Sequence, residues 1–157
     1  MRRTAWRIGL WCAMTLIAGG CARHGARPTD IPEAGLPPSF LLGTFEDDYG
    51  IAYHIGADAW RQGARTTYEV KAWNPAEQFV IARNALTNPS APELWTRIDW
   101  MRLEGMSPYT WAYCLSAYEA PTRESAAATR VAQRASPRTG CNGFPFSRMK
   151  RIVSSTP

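Results

Sequence analysis

The residues with the widest range of possible chemistry are four cysteines, at positions 12, 21, 114 and 141 of a 157-residue chain. Cys141 stands in TGCNGFPF, residues 139–146, where flexible neighbours would suit a reactive thiol, a metal ligand or a disulfide. A zinc site built on two cysteines needs about two further ligands. His54 is the only histidine after residue 38, so the sequence predicts no metal site.

Carboxylates offer a second kind of chemistry, general acid–base catalysis, when two of them converge. Asp47 and Asp48 are adjacent, and adjacent side chains on a strand point to opposite faces. These two acids, followed by Tyr-Gly, therefore predict a turn rather than a catalytic pair.

Asp99 lies in the middle of a predicted strand, between tryptophans and arginines. A half-buried carboxylate needs a partner, which Arg97 on the same face or Arg83 on a neighbouring strand could supply. We therefore expect an ion pair at Asp99, and we expect a partly exposed His54. The catalytic alternative is an envelope hydrolase that uses Asp99 or Asp48 with His54.

Known catalytic motifs do not occur in the sequence. It has no Ser-His-Asp nucleophile elbow, no HExxH, no glycine-rich phosphate loop and no CxxC. This pattern favours a protein that is not an enzyme and that uses no cofactor.

Aromatic side chains raise a third possibility, ligand binding. They make up 11% of the chain, and such residues favour pleated, half-buried strands. In a barrel they could line the mouth and stack on a sugar or an apolar ligand. They could equally fill a narrow core, and with about six strands the filled core is favoured. The candidate ligand-binding residues are Trp95, Trp100, Trp111, Tyr53, Tyr68, Tyr113 and Asp99.

The N-terminus has the organisation of a targeting segment. Arginines precede an apolar run, residues 8–18, that is too short to span a bilayer as a helix. The following LIAGGC, residues 16–21, resembles the lipobox of bacterial lipoproteins, with Ala18 where that family prefers leucine. This resemblance implies lipidation of Cys21 and, because Ala22 is not aspartate, an outer-membrane lipoprotein that faces the periplasm. An ordinary signal peptide and a membrane anchor are the alternatives.

Composition divides the chain into a signal peptide (1–21), a proline-rich tether (22–38), a single domain (39–152) and a disordered tail (153–157). In the domain, apolar residues alternate over about six short stretches, and FSRMKRIV adds a weaker final strand. The two edge strands of such a meander must pair with each other or be covered, because unpaired strand edges favour aggregation. We predict a mainly β fold, an antiparallel barrel or half-barrel. One C-terminal helix is predicted over about 122–135, with Thr122 as its N-cap.

The number of cysteines left after export limits the chemistry that Cys114 and Cys141 can perform. Cys12 leaves with the signal peptide and Cys21 takes the lipid, so Cys114 and Cys141 remain in an oxidising compartment. We expect these two to form a disulfide, worth about 3 kcal/mol in the chain-entropy model. The bridge would lie on the outside of the barrel if the alternating aromatics of the Cys114 strand face inward.

Several stretches resemble a group of small, exported bacterial domains that has no assigned function. The matching motifs are GTFEDDYG (43–50), WTRIDW (95–100), WAYCLSAYEAPT (111–122) and TGCNGFPF (139–146). The resemblance covers roughly residues 42–149. It implies no catalytic role, but it supports the pairing of Cys114 with Cys141, because both lie in matching motifs.

The charge of the chain indicates little about nucleic acid. The formal net charge is +5, but three of the positive residues lie in the predicted signal peptide and the rest are scattered. The favoured function is a non-enzymatic, palmitate-bearing outer-membrane lipoprotein with a structural or binding role in the envelope. Its expected partner is the membrane, through the N-terminal lipid, and no nucleic acid. A small ligand, a glycan or an envelope protein are alternative partners.

Overall fold

A computed structural model describes residues 35–153. The predicted signal peptide, the lipidation of Cys21, most of the predicted tether and residues 154–157 of the predicted tail lie outside the described residues. Within residues 35–153, no helix is long and apolar enough to cross a membrane.

The described part of the chain forms eight strands, one short 3₁₀ helix and one α-helix. The helices are the 3₁₀ helix Ser39–Leu41 and α1 (Arg123–Ala128). The strands are β1 (Gly43–Asp47), β2 (Ala52–Ile55), β3 (Ala59–Gln62), β4 (Thr66–Asn74), β5 (Phe79–Asn84), β6 (Trp95–Arg102), β7 (Trp111–Ala120) and β8 (Ser147–Arg151).

Each strand pairs antiparallel with its neighbours in chain order, and β8 pairs with β1 to close the barrel. Closure is fixed by the register Phe45 opposite Arg151 and Asp47 opposite Met149. The mainly β fold with one helix and one disulfide is therefore confirmed. Of the two predicted forms, the barrel is observed and the half-barrel is not. The closed ladder of hydrogen bonds leaves no strand edge unpaired.

Two details of the sequence prediction are wrong. About six strands and a weak final one were expected, but β3, Ala59–Gln62, is an additional strand. It is only four residues long, and its polar residues interrupt the apolar alternation. The FSRMKRIV segment does contain the final strand, β8.

The helix predicted over 122–135 ends at Ala128. Its start is as expected: the Thr122 hydroxyl accepts the Ser125 amide, and the Ser125 side chain completes a capping box. At the other end, the carbonyl of Ala127 accepts hydrogen bonds from the guanidinium groups of Arg97 and Arg130. Side chains therefore satisfy a last-turn carbonyl that a longer helix would have bonded through its own backbone.

Large side chains fill the barrel. Trp111 lies at the centre, packed edge-on against Phe45 at a centroid distance of 5.2 Å and against Trp60 at 5.8 Å. Alternate residues point inward along the strands, except that an irregularity between Val70 and Ala72 in β4 leaves Ala72 outside and Trp73 inside. The favoured filled core is what the structure shows. The buried interior includes Phe45, Tyr53, Ile55, Trp60, Tyr68, Trp73, Val80, Ile98, Trp100, Trp111, Tyr113 and Met149.

The two ends of the barrel differ in what covers them. We call "entry end" the end formed by the connections 56–58, 75–78 and 103–110, where the segment 35–42 enters and Leu41 is buried. We call "far end" the end formed by the connections 48–51, 63–65 and 85–94.

A segment outside the barrel crosses its outer face. Residues 129–146, here called the strap, run from α1 to β8 and pack with the helix against outward-facing residues of β4 to β7. Two small apolar clusters result, one around Phe79 and Ile81 and one around Ala112 and Phe146.

Candidate functional site

The disulfide predicted between Cys114 and Cys141 is present, with a Cα–Cα distance of 5.5 Å. It joins the outer face of β7 to the strap, as expected if the aromatics of β7 face inward. Cys141 is therefore a structural crosslink, and this excludes a role as a free nucleophile or a metal ligand in the oxidised protein.

Asp99 is buried on the outer face of β6 and is fully hydrogen-bonded. Arg97 Nε donates to one carboxylate oxygen at 2.7 Å and Arg97 Nη2 to the other at 3.0 Å. Ser116 Oγ donates at 2.6 Å and Arg134 Nη2 at 2.9 Å. The predicted ion pair with Arg97 is confirmed, whereas the alternative partner Arg83 binds Glu93 instead. Such a saturated carboxylate is suited to holding the strap and has no lone pair open for proton transfer.

Arg134 is the residue of this cluster that sequence reasoning missed. Besides Asp99 it donates from Nε to the Trp100 carbonyl at 2.8 Å and from Nη2 to the Gln78 carbonyl at 2.8 Å. It lies in the strap, and no local pattern links it to β6. Only the crossing of the strap over the barrel brings the two together.

The residues of the hydrolase alternative are not brought together. His54 is exposed on β2, where its ring lies 3.5 Å from Thr44 Oγ1. Asp99 is on β6, across the barrel from β2. Asp48 makes an ion pair with Arg148 at 2.9 Å. In the described residues there is also no group of three or more His, Cys, Asp or Glu side chains that could hold a metal ion.

Asp47 and Asp48 point to opposite sides, as predicted. Asp47 turns inward and accepts the amides of Tyr49 and Ile51 at 2.9 and 2.8 Å, which forms the predicted turn. Its second oxygen accepts the Tyr53 hydroxyl at 2.8 Å, and that hydroxyl lies 2.7 Å from the Tyr113 hydroxyl. This buried network is structural, because every group in it has a partner.

Burial shifts the pKa values of the inward-facing tyrosines. Desolvation raises the pKa of Tyr53, and the nearby Tyr113 and Asp47 raise it further. Desolvation also raises the pKa of Tyr113, and the hydrogen bonds that Tyr113 forms with Tyr53 and Ser147 partly offset this rise. The pKa of Tyr68 rises to about 12 for the same reason, desolvation. All three hydroxyls thus stay neutral at physiological pH.

The aromatic residues proposed for ligand binding are packed away from solvent. Tyr53, Trp100, Trp111 and Tyr113 are at most 4% exposed in the interior, and Tyr68 is 6% exposed near the far end. Trp95 faces the other side of the sheet and packs with Phe79 and Ala126 under α1. The interior rings of Tyr53, Trp100, Trp111 and Tyr113 pack edge-on or tilted against neighbouring rings, so these four offer no face to a sugar.

A depression lies on the outside of the barrel. It has a volume of about 510 Å³, and we call it the groove. Its floor is the outer face of β7 and β8, one wall is the connection after β6, and the other wall is the strap. The lining residues are Asp48, Leu103, Met106, Ala112, Pro137, Arg138, Pro145, Phe146 and Arg148.

Two arginines give the groove its charge. Arg148 Nε donates to Asp48 at 2.9 Å, and this hydrogen bond raises the pKa of Arg148. The Arg148 guanidinium also lies 4.8 Å from the ring centre of Tyr109. Arg138 is exposed on the strap wall, and no ion pair among the described residues includes it. The groove therefore combines apolar walls with one cation that has no carboxylate partner in this part of the chain.

Sequence reasoning did not find the groove. Its walls come from three separate stretches, and the strap wall depends on the disulfide. The available signal was weak: Pro137 precedes the Cys141 motif, and Pro145 lies within it. Such a stretch indicates a rigid surface segment but not what lies beneath it.

A shallower depression of about 370 Å³ lies at the far end. Gln62, Thr66 and Tyr68 line it together with the backbone of the β3–β4 connection and with Leu115. The Tyr68 hydroxyl donates to Gln62 Oε1 at 3.3 Å. This mouth is closed below by the filled core, so it cannot lead into a cavity of the kind that a hollow barrel offers.

Comparison with known proteins adds no family. None of the protein-family models, curated proteins or solved structures that were compared with the chain matches it. The functional interpretation therefore depends on the groove and on the sequence.

Proposed function

We propose that the protein is a non-enzymatic, lipid-anchored binding module of the bacterial outer membrane that holds an amphipathic, anionic ligand in the groove. The anchor is supported by the arginine-led apolar run and the LIAGGC motif with Cys21. The binding role is supported by the shape and lining of the groove.

The observation that carries the binding role is a 510 Å³ groove with mainly apolar walls and an arginine at its edge. Small-ligand sites are concave, mostly apolar, and usually about 300–1,000 Å³ in volume. The filled barrel interior leaves no comparable space among the inward-facing side chains. A ligand of this protein would therefore bind outside the barrel.

The lining residues favour one class of ligand. Leu103, Met106 and Phe146 offer aliphatic and aromatic surface, and methionine adapts to irregular apolar shapes. Arg138 can pair with a carboxylate or phosphate through two parallel hydrogen bonds. A single acyl chain with an acidic head group has both features.

Two features support a role without catalysis. The Asp99 carboxylate already accepts four hydrogen bonds, and Asp48 at the groove is held by Arg148. Neither is poised beside a second acid or a histidine, which general acid–base catalysis would need. The glycan alternative draws less support, because its tryptophans and tyrosines are buried in the core or under α1.

Binding can be tested with the mature chain, residues 22–157, exported behind a cleavable signal peptide so that the disulfide forms. We expect a fluorescent single-chain fatty acid to bind saturably. Arg138→Glu should weaken binding at least tenfold, which is about 1.4 kcal/mol. The substitution replaces the cation by a carboxylate, which repels the anionic head group of the ligand. Arg65→Glu, at the far-end mouth, is the matched control and should leave the Kd unchanged. Absence of binding, or equal effects of the two variants on the Kd, would contradict the proposal that the ligand binds in the groove.

A further inference from the structure

We propose that the entry end of the barrel lies on the membrane surface against anionic phospholipids, while the far end points away from it. The inference rests on the lipid anchor of the proposed function and adds how the domain is oriented. It follows from where the chain enters the barrel and from which side chains surround that point.

The chain enters at one defined place. The Gly35 amide donates to the Trp73 carbonyl at 2.9 Å, which fixes the entry beside the last residues of β4. Cys21 lies fourteen residues earlier, a distance of at most about 50 Å for a fully extended chain. The lipid therefore limits the distance of the entry end from the bilayer to about 50 Å, and the side chains around this end favour contact with the membrane surface.

Exposed apolar side chains surround this end. Leu36 is 88% exposed next to β4, Met106 is 39% exposed in the connection between β6 and β7, and Val153 is 80% exposed after β8. These three positions are spread around the circumference of the barrel. Together they can enter the interfacial layer of a bilayer at three points, which would hold the barrel axis upright.

Two arginines at the same end have no carboxylate partner among the described residues, Arg102 and Arg151. The Arg102 guanidinium lies 3.7 Å from the ring centre of Phe40, and Arg151 Nη2 donates to the Leu42 carbonyl at 3.0 Å. Both side chains are thus fixed beside the entering segment, where lipid phosphates would meet them.

Three acidic residues lie at the entry end. Asp58 and Glu104 lie in its connections, and Glu77 is paired with Arg130 at 3.6 Å. Arg102 and Arg151 are held apart from these connections, beside the segment 35–42. A bilayer that contains anionic lipids matches these two arginines in charge and the exposed apolar side chains in polarity.

The far end also exposes apolar side chains, so exposure alone does not decide the orientation. Leu86 is 72% exposed there and Tyr118 49%. These side chains lie at the end of the barrel opposite the point where the tether joins. They provide the matched positions against which the proposal can be tested.

The test uses the full-length lipidated protein in vesicles of phosphatidylethanolamine and phosphatidylglycerol with brominated acyl chains. Tryptophan is introduced singly at the entry end (Val153→Trp, Leu36→Trp) or at the far end (Tyr118→Trp, Leu86→Trp). We expect the added fluorescence to be quenched by bromine only for the entry-end variants. Quenching should weaken in vesicles of phosphatidylcholine, because attraction to Arg102 and Arg151 is lost.

Vesicle flotation separates this proposal from the anchor on which it rests. If the wild-type protein floats but the entry-end tryptophans are not quenched, or the far-end ones are quenched equally, the orientation is overturned and the anchor stands. If the wild-type protein does not float, the anchor fails, and this inference fails with it. Equal quenching in phosphatidylcholine would overturn the preference for anionic lipid.

Discussion

The barrel interior and the interface beneath the strap both exclude water, but different interactions hold them together. Interior side chains are nearly all apolar or aromatic, and their strands are joined by a closed ladder of backbone hydrogen bonds. The strap pairs with no strand. Its attachment depends on the disulfide and on the cluster of Asp99, Arg97 and Arg134. A segment without a ladder needs directional or covalent attachment, because apolar contact alone does not fix its position.

The largest expected effect is loss of the packed structure of the barrel interior at alkaline pH. The pKa values of Tyr53, Tyr68 and Tyr113 are raised above the ordinary 10 by burial, that of Tyr68 to about 12. The folded protein therefore binds these protons more tightly than the unfolded chain. Its stability is complete below pH 10 and falls as the pH rises beyond it. Near-UV circular dichroism should show this loss, and an unchanged spectrum at pH 12 would contradict it.

Removing a central interior side chain should come next. Trp111→Ala should lower the free energy of unfolding by about 4 kcal/mol, since it leaves a cavity among rigid aromatic neighbours. The matched control is Trp95→Ala beneath α1, where the side chain is only partly buried and the loss should be smaller. Guanidinium unfolding with the disulfide intact measures both. Equal losses would mean that the two regions do not differ in rigidity.

Asp99→Ala should lower the free energy of unfolding by about 3 kcal/mol. It leaves the Arg97 guanidinium, with a side chain that is 3% exposed, as an uncompensated buried charge. Replacing both partners, Asp99→Leu with Arg97→Met, should recover part of this loss, because no charge is then stranded. The single variants Asp99→Leu and Arg97→Met complete the cycle. If the double variant loses as much unfolding free energy as the two single variants together, or more, the ion pair does not stabilise the interface.

Removing the disulfide should have a similar or slightly smaller effect and should act locally. The variant with both Cys114→Ser and Cys141→Ser loses a crosslink across 27 residues, worth about 3 kcal/mol in the chain-entropy model. Amide hydrogen exchange should speed up in the strap, while β1 to β4 stay protected. Equal acceleration in both regions would show that the strap and the barrel open as one unit.

The smallest expected effect is at Arg83, the alternative partner that the sequence offered for Asp99. Its pair with Glu93 is exposed, with side-chain exposures of 44% and 55%. Such a surface pair is worth about 0.2–1 kcal/mol, so Arg83→Ala should change the free energy of unfolding by less than about 1 kcal/mol. A loss as large as that of Asp99→Ala would contradict the assignment of Arg97 as the partner.

Much of the barrel could be predicted because its signals are local. Alternation at every second residue sets which side chains share a face, and this places Trp111 and Cys114 on opposite faces from the sequence alone. The missed strand β3 is too short to show such a pattern. The helix ends at Ala128, where Arg97, a residue of another strand, satisfies the Ala127 carbonyl.

The candidate site was predicted far less well. Arg134 meets Asp99 from 35 residues away, and the groove combines walls from three separate stretches of chain. No spacing in the sequence encodes such approaches, because they depend on where the strap crosses the barrel. The aromatic residues were identified as important, but their role is packing rather than ligand contact.

The sequence by itself determined the antiparallel meander, the shared face of Ile98 with Trp100 and of Trp111 with Tyr113, and the cap at Thr122. These features depend on neighbours within a few residues. The cysteine count and the compartment predicted the disulfide. Only the tertiary structure decided that the barrel closes, that its interior is full and that the groove lies outside it. These properties depend on side-chain volume around a closed ring and on the path of the strap, which are set by contacts between residues far apart in the chain.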